Sequence, residues 1–167
     1  SKLVMEKYLS DNGYLNARVK LDTIDKENSV QANYTVHAPK RYRINDIFLP
    51  SGKTVLDTLT LNNQQQSFLK KGSVYRTKSL DAERSRLVNI ATRNGYFGLT
   101  QNDIYFYVDS TKQAETVDVY LEWKPSNNNV DIKQYFLGTT TVYATHSLTD
   151  VKRQTTDTID YKDLTII

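Results

Sequence analysis

Two histidines, a few paired carboxylates and a row of tyrosines are the side chains of this sequence that could do chemistry. His37 and His146 follow strand-like runs, and neither has a cysteine or a spaced carboxylate nearby to complete a metal site or a general-base relay. The chain contains no cysteine, which removes a disulfide scaffold, thiolate zinc sites and a thiol nucleophile together. Asp22 with Asp25, and Asp157 with Asp160, read as solvated turns; a catalytic dyad needs burial to push its two pKa values apart. Gly95 and Gly98 resemble part of a phosphate loop, but they close a helix instead of opening one after a strand. No Gly-x-Ser-x-Gly turn is present. The sequence therefore predicts no catalytic, metal-binding or cofactor-binding residues, and a protein that is not an enzyme.

What remains is the chemistry of the backbone itself. In the stretch Ile104, Tyr105, Phe106, Tyr107, Val108 and Asp109, apolar and polar positions alternate as in a half-buried strand. Val117, Val119, Leu121 and Trp123 alternate in the same way with Asp118, Tyr120 and Glu122, which predicts an antiparallel partner. A strand at a sheet edge leaves N–H and C=O groups unpaired and can accept an extended peptide as an added strand. Tyr105 and Tyr107 then point away from the helices, either toward such a peptide, as a cover for the open sheet face, or against a neighbouring unit. Tyrosine suits all three, because its ring is apolar and its tip polar, and it dominates the aromatics with 12 residues against five Phe and one Trp.

The element that must position this edge is the helix predicted over residues 80–94. Ser79 is its expected N-cap, Asp81 and Glu83 lie in the first turn, and Asn94-Gly95 ends it. Leu80, Leu87, Ile90 and Ala91 share the face that buries against the sheet. Arg84 falls near that face, either as a stem lying on apolar surface with its head in water, or in an ion pair or partner contact. With Arg86 and Arg93 it is a candidate partner surface.

The same order of helix, glycine stop and hairpin occurs earlier. Met5, Tyr8, Leu9 and Gly13-Tyr14 match Leu87, Ile90, Ala91 and Gly95-Tyr96, each 82 positions apart. An internal repeat fixes architecture before any chemistry is argued. The first copy has a helix ending near residue 12, a strand from Ala17 to Asp22, a polar turn at 25–29 and a strand from Val30 to Val36. Beyond Pro39, a strand spans 42–49, and short, imperfect helical turns fill 54–71 around the polar run at 62–66. Pro125 and the following Ser-Asn-Asn-Asn mark a linker, Phe136–Thr145 repeats the strand of 42–49, and the polar tail from 147 carries no assignment.

One unit thus runs strand, helical segment, helix, strand, strand. Tight connection of the last two strands makes them antiparallel, and the helical crossover makes the first parallel to its neighbour. The expected fold class is α+β, with three-stranded mixed sheets, helices on one face, 117–123 central and 104–109 at one edge. The expected division is 1–38 as the C-terminal half of a module, 39–125 as a complete module, and 126–167 as a linker with the first strand of a following one. These ends read as those of a fragment, and residues 135–145 of one chain are expected to be able to complete the first sheet of another.

Composition sets the remaining bounds. Hydrophobic residues make up 38% of the chain, enough for modest cores. A net charge of +3, with 22 basic residues interspersed among 19 acidic ones, does not build the concentrated basic face of a nucleic-acid binder. No run of 18 apolar residues proposes a membrane helix.

The β-α-α-β-β order, the GSVY after the helical turns, the helix LDAERSRLVNIATRNGYF and the strand NDIYFYVD resemble POTRA repeats. These are modules of the outer-membrane β-barrel assembly factors, the surface antigen and barrel insertase family. KRYRINDIFLPSG and QYFLGTTTVY resemble first strands of such repeats, and the D-x-E-R…R-N-x-G-Y-F stretch resembles the Bacteroidetes branch. The resemblance implies tandem POTRA-like modules in the periplasm, forming the soluble part of an outer-membrane protein whose membrane β-barrel lies outside this sequence. It implies partners among unfolded outer-membrane proteins and accessory lipoproteins, with strand addition at the second strand, Ile104–Asp109 in one copy and Arg18–Ile24 in the other. The alternatives are a purely structural or partner-docking role, and a POTRA module of a secretion or division protein.

Overall fold

The computed structural model describes residues 1–124, 133–142, 159–161 and 164–166, which fall in two compact units, Ser1–Lys133 and Gln134–Ile167. In the first unit the strand β5 (Thr116–Trp123) organises the rest. Its Val117, Val119 and Leu121 are almost fully buried, whereas Tyr120 and Glu122 on the alternate positions reach solvent. Alternation of this kind buries one face only. Strand β3 (Arg43–Phe48) pairs parallel on one side of β5, and β4 (Ile104–Asp109) pairs antiparallel on the other. The order β3-β5-β4 makes the sheet mixed, with β5 central, as the connection lengths predict.

Helices α2 (Val55–Asn62) and α3 (Thr77–Arg93) cover the apolar face. Leu80 packs with Ile44, Val117 and Val119; Leu87 packs with Ile104 and Leu121; Leu56 packs with Ala91, Tyr96 and Leu99. Helix α2 is started by a capping box between Thr54 and Asp57, and its Thr60 hydroxyl accepts the Trp123 indole N–H at 2.9 Å. A single 3₁₀ turn follows at Gln64–Gln66, so the imperfect helical stretch resolves into one short helix and one turn. Helix α3 begins earlier than its serine suggests. Tyr75 N–H is tied to the Tyr42 carbonyl at 3.0 Å, Arg76 is still extended, and the helix starts at once after it, leaving Ser79 inside the first turn.

The first copy consists of α1 (Lys2–Asp11), β1 (Arg18–Lys26) and β2 (Ser29–His37). Its hairpin pairs up to Lys26 and Ser29, so the expected polar turn is tighter and both strands are longer. Both helices end with the same bonds. Tyr14 N–H reaches the Leu9 carbonyl at 2.9 Å, and Tyr96 N–H reaches that of Ala91 at 3.0 Å. Gly13 and Gly95 supply the left-handed residue at φ 93° and 88°, which closes the C-terminal carbonyls as a Schellman motif does. Gly13 also docks on the second copy: its carbonyl accepts Tyr42 N–H at 2.8 Å. Arg41 Nε bonds the Asn12 carbonyl, and Asn16 donates to the Tyr42 hydroxyl at 2.8 Å.

In the second unit, β6 (Thr140–Val142) pairs parallel with β8 (Leu164–Ile166), and β7 (Ile159–Tyr161) pairs antiparallel with β8. Sequence alternation predicts only a first strand here. Segments of three residues are too short to alternate legibly, which is why the other two went unassigned. Among the described residues β6 begins at Thr140 instead of the expected Phe136, and it is paired within its own chain; residues 143–145 lie outside the described residues. The linker at 125–132, His146 and Asp157 lie outside the described residues.

Candidate functional site

Strand β4 pairs on one side only, and among the described residues no strand lies on its other side. Ile104 stands opposite Trp123, Phe106 opposite Leu121 and Val108 opposite Val119. Lys124 N–H donates to the Asp103 carbonyl at 2.8 Å, and this sets the alternation along the strand. Main-chain groups of Tyr105, Tyr107 and Asp109 turn toward β5, and those of Ile104, Phe106 and Val108 turn outward. Phe106 and Val108 thus offer two N–H and two C=O groups at the edge, whereas the Ile104 N–H is held by the Gln101 carbonyl and the Ile104 carbonyl is already taken. Arg84 Nε donates to it at 3.0 Å, and Arg84 Nη1 pairs with Asp81 at 2.6 Å. The guanidinium lies 5.1 Å from the centre of the Phe106 ring, within cation–π range.

The open sheet face beside this edge is a row of aromatic rings under two ammonium groups. Tyr105 and Tyr107 are 44% and 47% exposed, and Lys124 Nζ sits 5.6 and 4.8 Å from their ring centres. Lys124 donates to the Tyr107 hydroxyl and pairs with Glu122 at 3.0 Å, and these two contacts, the hydroxyl first, raise its pKa. Phe48 stacks on Tyr120 with centres 4.4 Å apart, and Lys112 Nζ lies 5.3 and 5.2 Å from the two rings. Lys112 donates to the Tyr120 hydroxyl and to Asp118, and its pKa is raised by both, the hydroxyl first. The Asn45 amide, at 2.8 Å, and then Lys112 hold the Asp118 carboxyl below the usual carboxylate range. At the end of β4, the Thr111 hydroxyl and then its N–H lower Asp109 in the same way.

The three arginines separate. Arg84 is bound to the edge strand. Arg86 forms a bidentate pair with Glu83 at 2.9 and 2.5 Å and donates to the Asn63 carbonyl at 3.0 Å, with the Glu83 side chain 2% and its own 11% exposed. Glu83 also accepts Phe68 N–H at 2.9 Å, so this cluster ties α3 to the segment after α2. Arg93 is exposed in the last turn of α3. Sequence reasoning missed Glu83 as a buried residue; its i,i+3 spacing to Arg86 was the available signal. Among the described residues no group of His, Cys, Asp and Glu could hold a metal ion, and no helix is long and apolar enough to cross a membrane. His37 closes β2 on the exposed surface, and Asp22 pairs with Lys20 at 3.1 Å.

No protein-family model matches the sequence, and no curated protein matches it. Solved structures do. BamA of Haemophilus ducreyi lacking POTRA domains 1–3 superposes with a TM-score of 0.50 at 22% identity, covering 75% of this chain and 22% of that one. This chain has the POTRA fold. POTRA domains 3–5 of Haemophilus influenzae BamA also match, at a TM-score of 0.46 and 15% identity over 88% of this chain and 54% of that one. Within residues 43–123, β4 is the outer strand of the mixed sheet, and α3 precedes it in the chain and covers the sheet's apolar face.

Proposed function

We propose that this chain is a periplasmic POTRA segment of an outer-membrane protein assembly factor, which takes up extended segments of unfolded outer-membrane proteins by strand addition at Ile104–Asp109. In this reading a membrane β-barrel continues the polypeptide, and accessory lipoproteins share the task of positioning the client. The observation that carries it is the outward N–H and C=O of Phe106 and Val108, held beside half-exposed Tyr105 and Tyr107. Main-chain pairing supplies affinity with little dependence on client sequence, and the two rings give alternate client side chains an apolar surface. The test is a ¹⁵N NMR titration with an alternating, barrel-type peptide. Shifts centred on 104–109 are expected, and shifts confined to α3 would sink strand addition.

A second reading, that the POTRA units chiefly space and orient their neighbours, is favoured by the junction at Gly13, Tyr42 and Asn16. Of the three arginines considered for partner docking, Arg84 and Arg86 are bound within their own fold and Arg93 is exposed. Reversing its charge in Arg93→Glu while leaving lipoprotein capture intact counts against docking there.

A further inference from the structure

The two copies share a device at the start of their edge strands. Val19 in β1 and Ile104 in β4 do not align at the 82-residue spacing of the helices, but they hold comparable places: each is 2% exposed, each is the first buried residue of its strand, and each follows the glycine stop of its helix. In both, a charged side chain from the preceding helix occupies a main-chain group of that residue. Glu6 of α1 accepts Val19 N–H at 2.9 Å, and Arg84 of α3 donates to the Ile104 carbonyl at 3.0 Å. The charges are opposite in sign, so one takes the amide and the other the carbonyl.

Resting on the strand-addition reading, we infer that Arg84 and Glu6 are register stops, residues that set where an added strand begins to pair. Hydrogen bonds to ionised groups are about twice as strong as neutral ones. A strand pairing with Ile104 would have to displace the guanidinium from its carbonyl and from the face of Phe106, and would leave it bound to Asp81 alone. An incoming strand therefore pairs with Phe106 and Val108 and stops short of Ile104. Because side chains of a strand alternate, a slip of one residue would turn every client side chain to the other face. A fixed start thus decides which client residues lie beside Tyr105 and Tyr107, which gives a main-chain interaction a sequence preference.

The test uses the whole chain and an acetylated, amidated peptide copying Thr116–Trp123 (TVDVYLEW), the sequence that already pairs with the inner side of β4. In NMR titrations the unaltered chain is expected to show slowed amide exchange at Phe106 and Val108 and no peptide-induced shift of the Ile104 carbonyl ¹³C; that carbonyl is the reporter because the Ile104 N–H is already held by Gln101. Arg84→Met keeps the stem and removes the donors. Its footprint is expected to extend to the Ile104 carbonyl ¹³C, and its dissociation constant to fall about threefold to tenfold, the gain of one main-chain bond. An unchanged footprint and affinity in Arg84→Met overturns the register stop while leaving strand addition intact, as does a peptide-induced shift of the Ile104 carbonyl ¹³C in the unaltered chain. Absence of binding at β4 in both proteins overturns strand addition and the stop with it. If Arg84→Met loses its fold by circular dichroism, Asp81→Asn, which releases the guanidinium from the helix, is read in the same way, with a smaller widening expected and an unchanged footprint again counting against the stop.

Discussion

The first and second copies of the helix–glycine–hairpin motif have the same local bonds and very different burial. Both helices close with an Asn side chain on the carbonyl four residues back, Asn12 on Tyr8 and Asn94 on Ile90 at 2.9 and 2.8 Å. Yet Leu87 is 1% exposed and its equivalent Met5 37%, and Tyr8 in the first copy is 67% exposed. The second copy adds β3 and α2, which carry Ile44 and Leu56 into the core. The first has two strands only, with Val30, Tyr34 and Val36 of β2 open to solvent. Local sequence therefore makes the motif, whereas a core requires the strand and helix that precede it.

That comparison can be broken at several points. The largest effect is expected at the Glu83–Arg86 pair, which has no counterpart in the first copy. Glu83→Ala leaves a buried guanidinium unpaired and is expected to cost about 3–5 kcal/mol in urea unfolding. Leu87→Ala follows, at about 2–5 kcal/mol, whereas the equivalent Met5→Ala is expected to cost less than about 1 kcal/mol. Equal losses at the two positions would show that α1 is braced as firmly as α3.

Gly13→Ala tests the junction between the copies. A Cβ there would lie 2.6 Å from the Tyr75 carbonyl, on a residue at φ +93°. A destabilisation of about 2 kcal/mol or more is expected by thermal unfolding, and a near-neutral result would mean that the copies are not fixed against each other.

A smaller effect is expected from pH. Asp118 has a lowered carboxyl pKa in the folded chain, set by Asn45 and then Lys112. Its contribution is therefore fully present above the ordinary carboxylate pKa of about 4 and lost as pH falls through the folded value. Asp118→Asn is expected to flatten part of the stability loss below about pH 4 while leaving the profile near neutrality unchanged in slope. Arg93→Glu, on the exposed end of α3, is expected to move stability by no more than about 0.5 kcal/mol.

The central sheet was legible because its signals are periodic. Alternation in 104–109 and 117–123 predicted both strands, their antiparallel pairing and the edge position of β4, and the glycine stops predicted where the helices end. The chemistry of the site was less legible. Arg84 reads either as a snorkelling stem or as an ion-pair or partner contact; its pair with Asp81 is present, but sequence gives spacing on a helix and not the reach of a guanidinium around a sheet edge to the Ile104 carbonyl. Arg86 looked like surface because its partner Glu83 reads as a first-turn dipole residue, and only the fold brings the Phe68 amide to bury that carboxylate. The tyrosine row was expected, but its two lysines come from the loop at 112 and the end of β5, neither of which periodicity can place over a ring.

The central claim is that function resides in the outward main-chain groups of β4, and Val108→Pro tests it most directly. The N–H of Val108 faces away from β5, so proline there removes an outward donor while sparing the internal ladder, a position where edge strands tolerate it. With native amide dispersion retained, binding of the TVDVYLEW peptide is expected to weaken at least about tenfold. A variant that folds and binds that peptide as tightly as the unaltered chain would contradict the account.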